Sequence, residues 1–467
     1  MGTYQDVYEG AQSDATGFWL EAANGIDWVT PPQTALDDSN PPFYRWFADG
    51  TLNTCFNAVD RHVDAGRGDQ VAIIYDSPIT GNASKMTYGA LQTATARFAG
   101  MLQSLGVEKG DRVIIYMPMI IESIVAMLGC ARLGAVHSVV FGGFAAAELA
   151  TRIDDAKPKA IISASCGHEP GRIVAYKPLL DEAIEIAAHK PDHCVIYQRE
   201  ALAADLVAGR DLEWHAAHEN APELPPVTVK ATDPLYVLYT SGTTGQPKGV
   251  VRDNGGHAVA LAWSMPNIYA TGPGDVYWAA SDIGWVVGHS YIVYAPLLAG
   301  CTTVLFEGKP VGTPDAGVFW RIISEHKVKV LFTAPTAFRA IKRADPDADF
   351  LENYDTSSLE YLFLAGERAD PDTIIWAQDK LNVPVIDHWW QTETGWPMCA
   401  NPVGIEQLPI KLGSPSVPMP GYEIDILGED GSVKAPDELG SIAVRLPMPP
   451  ACLPTVWGQM PPLLKSI

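Results

Sequence analysis

At 467 residues, 47% hydrophobic and 19% charged, the chain is long enough for two or three packed subdomains, each with a full core of its own. The net charge of -23, with no Lys/Arg cluster, excludes general nucleic-acid binding, which needs a basic face against phosphate. The seven cysteines are odd in number and show no C-x-x-C spacing, which points to a reducing compartment rather than a disulfide or metal framework.

The start, MGTYQDVYEG, lacks the basic and apolar regions of a signal peptide and the arginine-rich character of a transit peptide, so a cytoplasmic protein is expected. Residues 1–70 are aromatic and irregular and are expected to form a loop-rich cap. A regular rhythm then begins. Short apolar runs at 71–75, 113–116, 136–140, 160–163 and 194–197 alternate with helical patterns such as 88–105 and 122–133. Strands alternating with helices imply a largely parallel sheet with helices on its faces, here a first α/β subdomain over 71–230.

After a proline-containing connector near 212–232, further strands are expected at 233–239, 328–332, 359–364 and 383–387, making a second α/β subdomain over 231–412. Within it, residues 283–306 carry no Asp, Glu, Lys or Arg over a length that would span a bilayer. Gly288, Pro296, Gly300, Thr302 and Thr303 break that run, so a short helix and a buried strand are expected instead. Residues 413–467 change texture to prolines, a turn at 428–431 and alternating strands at 423–426 and 441–445, the pattern of a small β-rich subdomain.

The densest chemical signal is LYTSGTTGQPKG at 238–249, which leaves the end of a buried strand, where α/β proteins place ligands. Gly242, Gly245 and Gly249 allow backbone approach to an anion; Thr240, Ser241, Thr243 and Thr244 offer hydroxyl donors, and Lys248 offers a positive charge. The Walker pattern fails because Gly249 follows the lysine, and the G-x-G-x-x-G spacing is absent. A polyphosphate loop of another type is indicated.

Three companion segments accompany it, two of them at strand ends and the third at the start of a helix. In Asp387-His388-Trp389-Trp390-Gln391-Thr392-Glu393, Thr392 suits a phosphate and Glu393 suits Mg²⁺, a hard cation that prefers oxygen ligands. Gly366-Glu367-Arg368 ends another strand and suits a flat ring, although alone it reads as a plain strand-to-helix turn. In Asp282–Tyr291, Gly284 and Gly288 flank Trp285, Val286 and Val287, which suits a small apolar pocket, while His289 reads as a core histidine.

Taken together these segments resemble the adenylate-forming (AMP-binding) superfamily, and within it the short-chain acyl-CoA synthetases, nearest to propionyl- and acetyl-CoA synthetases. The resemblance implies an α/β fold of two sheet-centred subdomains plus a small β-rich one. It implies ATP, Mg²⁺ and coenzyme A as substrates and cofactors, small-molecule partners only, and no nucleic acid or membrane. Residue by residue, Thr240, Thr243, Thr244, Lys248 and Glu393 would carry the chemistry, Glu393 holding Mg²⁺. Ser241, Gly242, Gly245, Gly366, Glu367, Arg368, Asp387, His388, Trp389, Trp390, Gln391 and Thr392 would bind ATP. Trp285, Val286, Val287 and Trp390 would enclose the acyl chain, and Phe141, Gly142, Gly143 and Arg172 would meet coenzyme A.

Propionate is the favoured acid, with acetate and butyrate open. Relatives continue into a Y-x-T-G-D segment and a C-terminal domain that have no counterpart between Pro447 and Ile467, so the expectation is of a large N-terminal domain impaired in full turnover. Two alternatives stay open, a non-catalytic ATP- or acyl-AMP-binding protein and another kind of adenylating enzyme.

Overall fold

The computed structural model describes residues 2–240 and 247–458. Two seven-stranded sheets organise the chain. The first runs, edge to edge, Asp211–Glu213, His193–Tyr197, Ala160–Ala164, Arg112–Tyr116, Val136–Val139, Pro234–Thr240 and Lys248–Asp253. Every neighbouring pair is parallel except the last, in which Thr240 pairs with Lys248 and Leu238 with Val250. The second runs Val385–Asp387, Tyr361–Leu364, Val330–Thr333, Val276–Ala280, Thr302–Phe306, Val71–Ser77 and Asn82–Thr87, parallel except for its closing hairpin.

Sheet membership does not follow the division drawn in the sequence at residue 230. The hairpin over residues 71–87 closes the second sheet, and the strands at 234–240 and 248–253 complete the first. Burial explains the exchange. Both sheets are covered by helices, so their central strands are buried almost throughout and carry no alternation that would assign them to one sheet.

Local chemistry sets the helices. Thr87 caps Tyr88–Ser104 by accepting from the Ala90 N–H at 3.2 Å, and Gly134, at φ 76°, ends Ile121–Leu133 in the left-handed conformation. Asp370 caps Pro371–Leu381, whose first residue is the proline that fits that position. Residues 283–306 form a helical run ending at Leu298 and the buried strand Thr302–Phe306. Among the described residues no helix is long and apolar enough to cross a membrane.

The first seventy residues depart from the loop-rich expectation, since Tyr4–Ser13 and Ala15–Ala22 are helices. Their aromatic residues are core. Trp19 is fully buried, with its ring 6.3 Å from Trp46, 6.0 Å from Trp263 and 5.8 Å from Trp396. The strand pair Ile424–Leu427 and Ser441–Val444 lies in the expected β-rich segment. All seven cysteines are free.

Candidate functional site

The antiparallel register places Thr240 opposite Lys248 at the open end of the first sheet. Ser241, Gly242, Thr243, Thr244 and Gly245 lie outside the described residues. Lys248 lines a cavity of about 350 Å³ together with Gln391 and Glu393, so the cation of one segment and the carboxylate of another share one space. A strap at 449–457 forms one wall of this cavity. The Leu453 N–H donates to the Glu393 carbonyl at 2.8 Å, and the Trp457 N–H donates to the Gly249 carbonyl at 2.8 Å.

Glu393 lines this cavity, and among the described residues its carboxylate accepts no side-chain hydrogen bond and makes no ion pair. No described group of three ligating side chains includes it. A single carboxylate fits Mg²⁺, which keeps several waters and takes one or two carboxylates with phosphate oxygens.

In the second sheet, Leu364 pairs with Asp387 across adjacent strands, which brings Gly366-Glu367-Arg368 beside the 387–393 segment. Gly366 has φ 104° and open space where a Cβ would lie, so glycine is required there by backbone conformation rather than crowding. Glu367 pairs with Arg339. Burial pushes the Asp387 carboxyl up to about 6.

His388 sits differently from a nucleotide contact. It is buried, its Nδ1 lies 2.7 Å from the Leu364 carbonyl and its Nε2 lies 3.0 Å from the Tyr269 hydroxyl. Burial lowers its pKa to about 4, so the ring is neutral and both nitrogens hold the turn in place. The Trp389 backbone pairs with Cys399, and the Trp390 ring stands perpendicular to Tyr291 at 5.4 Å and beside Phe332 at 6.2 Å.

The expected acyl wall is divided. Val286 and Val287 are part-buried against the main core. Trp285 is 48% exposed and packs on Phe141 at 5.3 Å rather than joining Trp390. Gly284 is needed at this junction, because a Cβ on it would lie 2.8 Å from the Phe141 backbone. His289 is fully buried, bonded to the Trp285 carbonyl at 3.0 Å, with burial lowering its pKa to about 4, as suits a core histidine.

Phe141, Gly142 and Gly143 line a second cavity of about 340 Å³, with Trp285, Glu169 and Lys309 also on its walls. A Cβ on Gly142 would meet the Tyr176 hydroxyl at 2.0 Å, so any larger residue there would have to displace the tyrosine ring. Arg172 lies on the hairpin beside this cavity, exposed, and paired with Glu169 at 2.6 Å.

Arg252, which the sequence reading passed over, is fully buried behind the Lys248–Glu393 cavity and donates to the carbonyls of Thr392, Glu393 and Ala451. The signal was present as an arginine inside the apolar run GVVRDN. Its neighbour Asp253 is also buried, and burial pushes that carboxyl up to about 7.

With this fold and constellation the chain belongs to the AMP-binding enzyme family, whose sequence profile matches residues 59–449, preceded by a match to the acetyl-coenzyme A synthetase N-terminus over residues 4–58. Among individual proteins it is 49% identical to acyl-CoA synthetase short-chain family member 3, mitochondrial, of Rattus norvegicus, covering 98% of this chain and 67% of that protein. It is 47% identical to the propionate--CoA ligase of Escherichia coli, over 98% of this chain and 73% of the ligase. An uncharacterized protein of Pseudomonas aeruginosa is 51% identical, over 99% of this chain and 74% of that protein.

Proposed function

We propose that this chain carries the adenylating site of an ATP-dependent acid–thiol ligase for short-chain carboxylates, with propionate preferred and acetate and butyrate as further substrates. The observation that carries the reading is that Lys248 and Glu393 line one cavity, while Trp390 of the same segment as Glu393 stands in an aromatic wall with Tyr291 and Phe332. In the first step a carboxylate oxygen attacks the α-phosphorus of ATP and the bond to pyrophosphate breaks, giving acyl-AMP. In the second, the thiol of coenzyme A attacks the acyl carbon, AMP leaves and the thiol proton passes to solvent.

Neither step needs a side-chain nucleophile. The requirement is for positive charge and donors where negative charge builds on the departing pyrophosphate. Lys248 supplies a cation, and Thr240, Ser241, Thr243 and Thr244 supply hydroxyl donors. Glu393 would hold Mg²⁺, which when bound neutralises charge on the phosphate oxygens. Gly366-Glu367-Arg368 and Asp387 would flank the adenosine, with Thr392 near the α-phosphate.

The aromatic wall at Trp390 supports a short acid, since an aromatic plate excludes longer chains. Discrimination among acids that differ by one methylene is worth only about 1–3 kcal/mol, so a graded preference is expected. The thiol substrate would enter beside Phe141, Gly142 and Gly143. The test is ATP–pyrophosphate exchange with acetate, propionate, butyrate and hexanoate in turn. Exchange that depends on a short acid and peaks at propionate is expected; exchange equal with and without acid would sink the reading.

A further inference from the structure

Arg252 shares the Lys248–Asp253 strand with Lys248, yet the adenylation chemistry above has no use for it. Its side chain is fully buried, where a cation is costly unless its donors are satisfied. It forms no ion pair with a described carboxylate and directs its donors to neutral oxygens. Nη1 donates to the Glu393 carbonyl at 3.2 Å and to the Ala451 carbonyl, Nη2 donates to the Thr392 carbonyl, and Nε donates to the Tyr236 hydroxyl at 3.2 Å.

One planar fork therefore clasps two consecutive peptides of the segment bearing Thr392 and Glu393, and a third from the strap that forms one wall of the cavity. A lysine could not do this, being a point charge without the fork. Gly395 has the complementary shape. It sits at φ 76°, a Cβ on it would lie 2.8 Å from the Arg252 Cζ, and its carbonyl accepts from the Ser290 hydroxyl at 2.6 Å.

We propose that Arg252 is a positioning residue of the adenylating site, its buried guanidinium fixing the Thr392–Glu393 segment and the 449–457 strap at one spacing from Lys248. The kinetic consequence rests on the ligase reading, whereas the positioning is independent of it.

The test compares the full chain with Arg252→Lys and Arg252→Gln, by hydrogen exchange and by carboxylate-dependent ATP–pyrophosphate exchange. In both variants, amides over residues 388–396 are expected to exchange about ten-fold faster while the Pro234–Thr240 strand keeps its protection. The kcat of pyrophosphate exchange is expected to fall about 100-fold with little change in the KM for ATP, and lysine is expected not to rescue it. Unchanged exchange at 388–396 overturns the proposal. So does a uniform acceleration along the whole chain with the kinetic constants of the folded fraction intact. If 388–396 loosens while the parent chain shows no carboxylate-dependent activity, the positioning stands and the ligase reading falls.

Discussion

Thr240 and Lys248 face each other as the last pair of an antiparallel ladder, with Lys248 turned into the cavity that Glu393 shares. Both strands are buried along their interiors, so strand pairing sets the backbone positions of Thr240 and Lys248 before any ligand arrives. Such preorganisation is what charge stabilisation in a transition state requires.

On the proposed reading, Lys248→Ala removes one charge-assisted interaction with the departing pyrophosphate. A hydrogen bond to a charged group is worth about 1.5–3 kcal/mol, so pyrophosphate exchange should fall roughly ten- to hundred-fold at unchanged thermal stability. Exchange rates that match the parent chain would remove Lys248 from the chemistry.

Glu393→Gln keeps the shape of the side chain and takes away its charge. The Mg²⁺ concentration for half-maximal exchange should rise about ten-fold, equivalent to roughly 1.4 kcal/mol. A Mg²⁺ titration distinguishes this from a fall in rate at saturating metal, which would assign the carboxylate another role.

Trp390→Ala opens the wall formed with Tyr291 and Phe332. Each methylene newly buried contributes about 0.8 kcal/mol, so the kcat/KM ratio of hexanoate to propionate should rise by about ten-fold or more. A fall for all acids in equal proportion would show that Trp390 supports the fold rather than limiting chain length.

Glu307→Gln tests the join between the sheets. Arg199 follows the strand His193–Tyr197 of the first sheet and Glu307 follows Thr302–Phe306 of the second, and they meet at 2.7 Å with only 8% and 5% of their side chains exposed. Glu307 also accepts from Tyr75 at 2.6 Å and from Ser77 at 3.0 Å. Breaking a buried pair leaves an uncompensated charge, so a loss of about 3–5 kcal/mol is expected in urea denaturation.

Acid should destabilise the chain well above the usual carboxylate range. Burial lowers the pKa of His62 to about 3 and of His289 and His388 to about 4, and drives His137 and His257 well down. For each, the unfolded chain binds a proton below about 6.5 that the folded chain refuses. Their contribution is complete above that pH and is lost as pH falls from about 6.5 through the folded values. Asp253 and Asp387, raised by burial to about 7 and about 6, act in the opposite sense, as do Glu122 and Asp282, which burial also raises. The five histidines should outweigh them, giving a urea midpoint that drops between pH 6.5 and 4. A flat or rising midpoint would contradict the balance.

The strand order along the chain was legible because buried parallel strands leave short apolar runs between helical periods, as at Arg112–Tyr116 and Tyr361–Leu364. The partners of those strands were not. Val71–Ser77 gives no sign in its residues that it pairs with Thr302–Phe306, far along the chain. The N-terminal helices were hidden by aromatic residues that read as irregular and that are instead a shared core around Trp19.

By itself the sequence determined the kind of chemistry, because glycines, hydroxyls and a lysine packed into 238–249 suit polyphosphate whatever surrounds them, and 387–393 supplies the carboxylate to match. The tertiary structure decided which of these groups meet. Lys248 shares one cavity with Glu393 although the two lie far apart in the chain, Trp285 goes to Phe141 rather than Trp390, and Arg252 is drawn inside to hold Thr392 and Glu393. The physical reason is that residue type fixes what a group can do locally, whereas strand register and the need to satisfy buried polar atoms act between segments far apart in the chain.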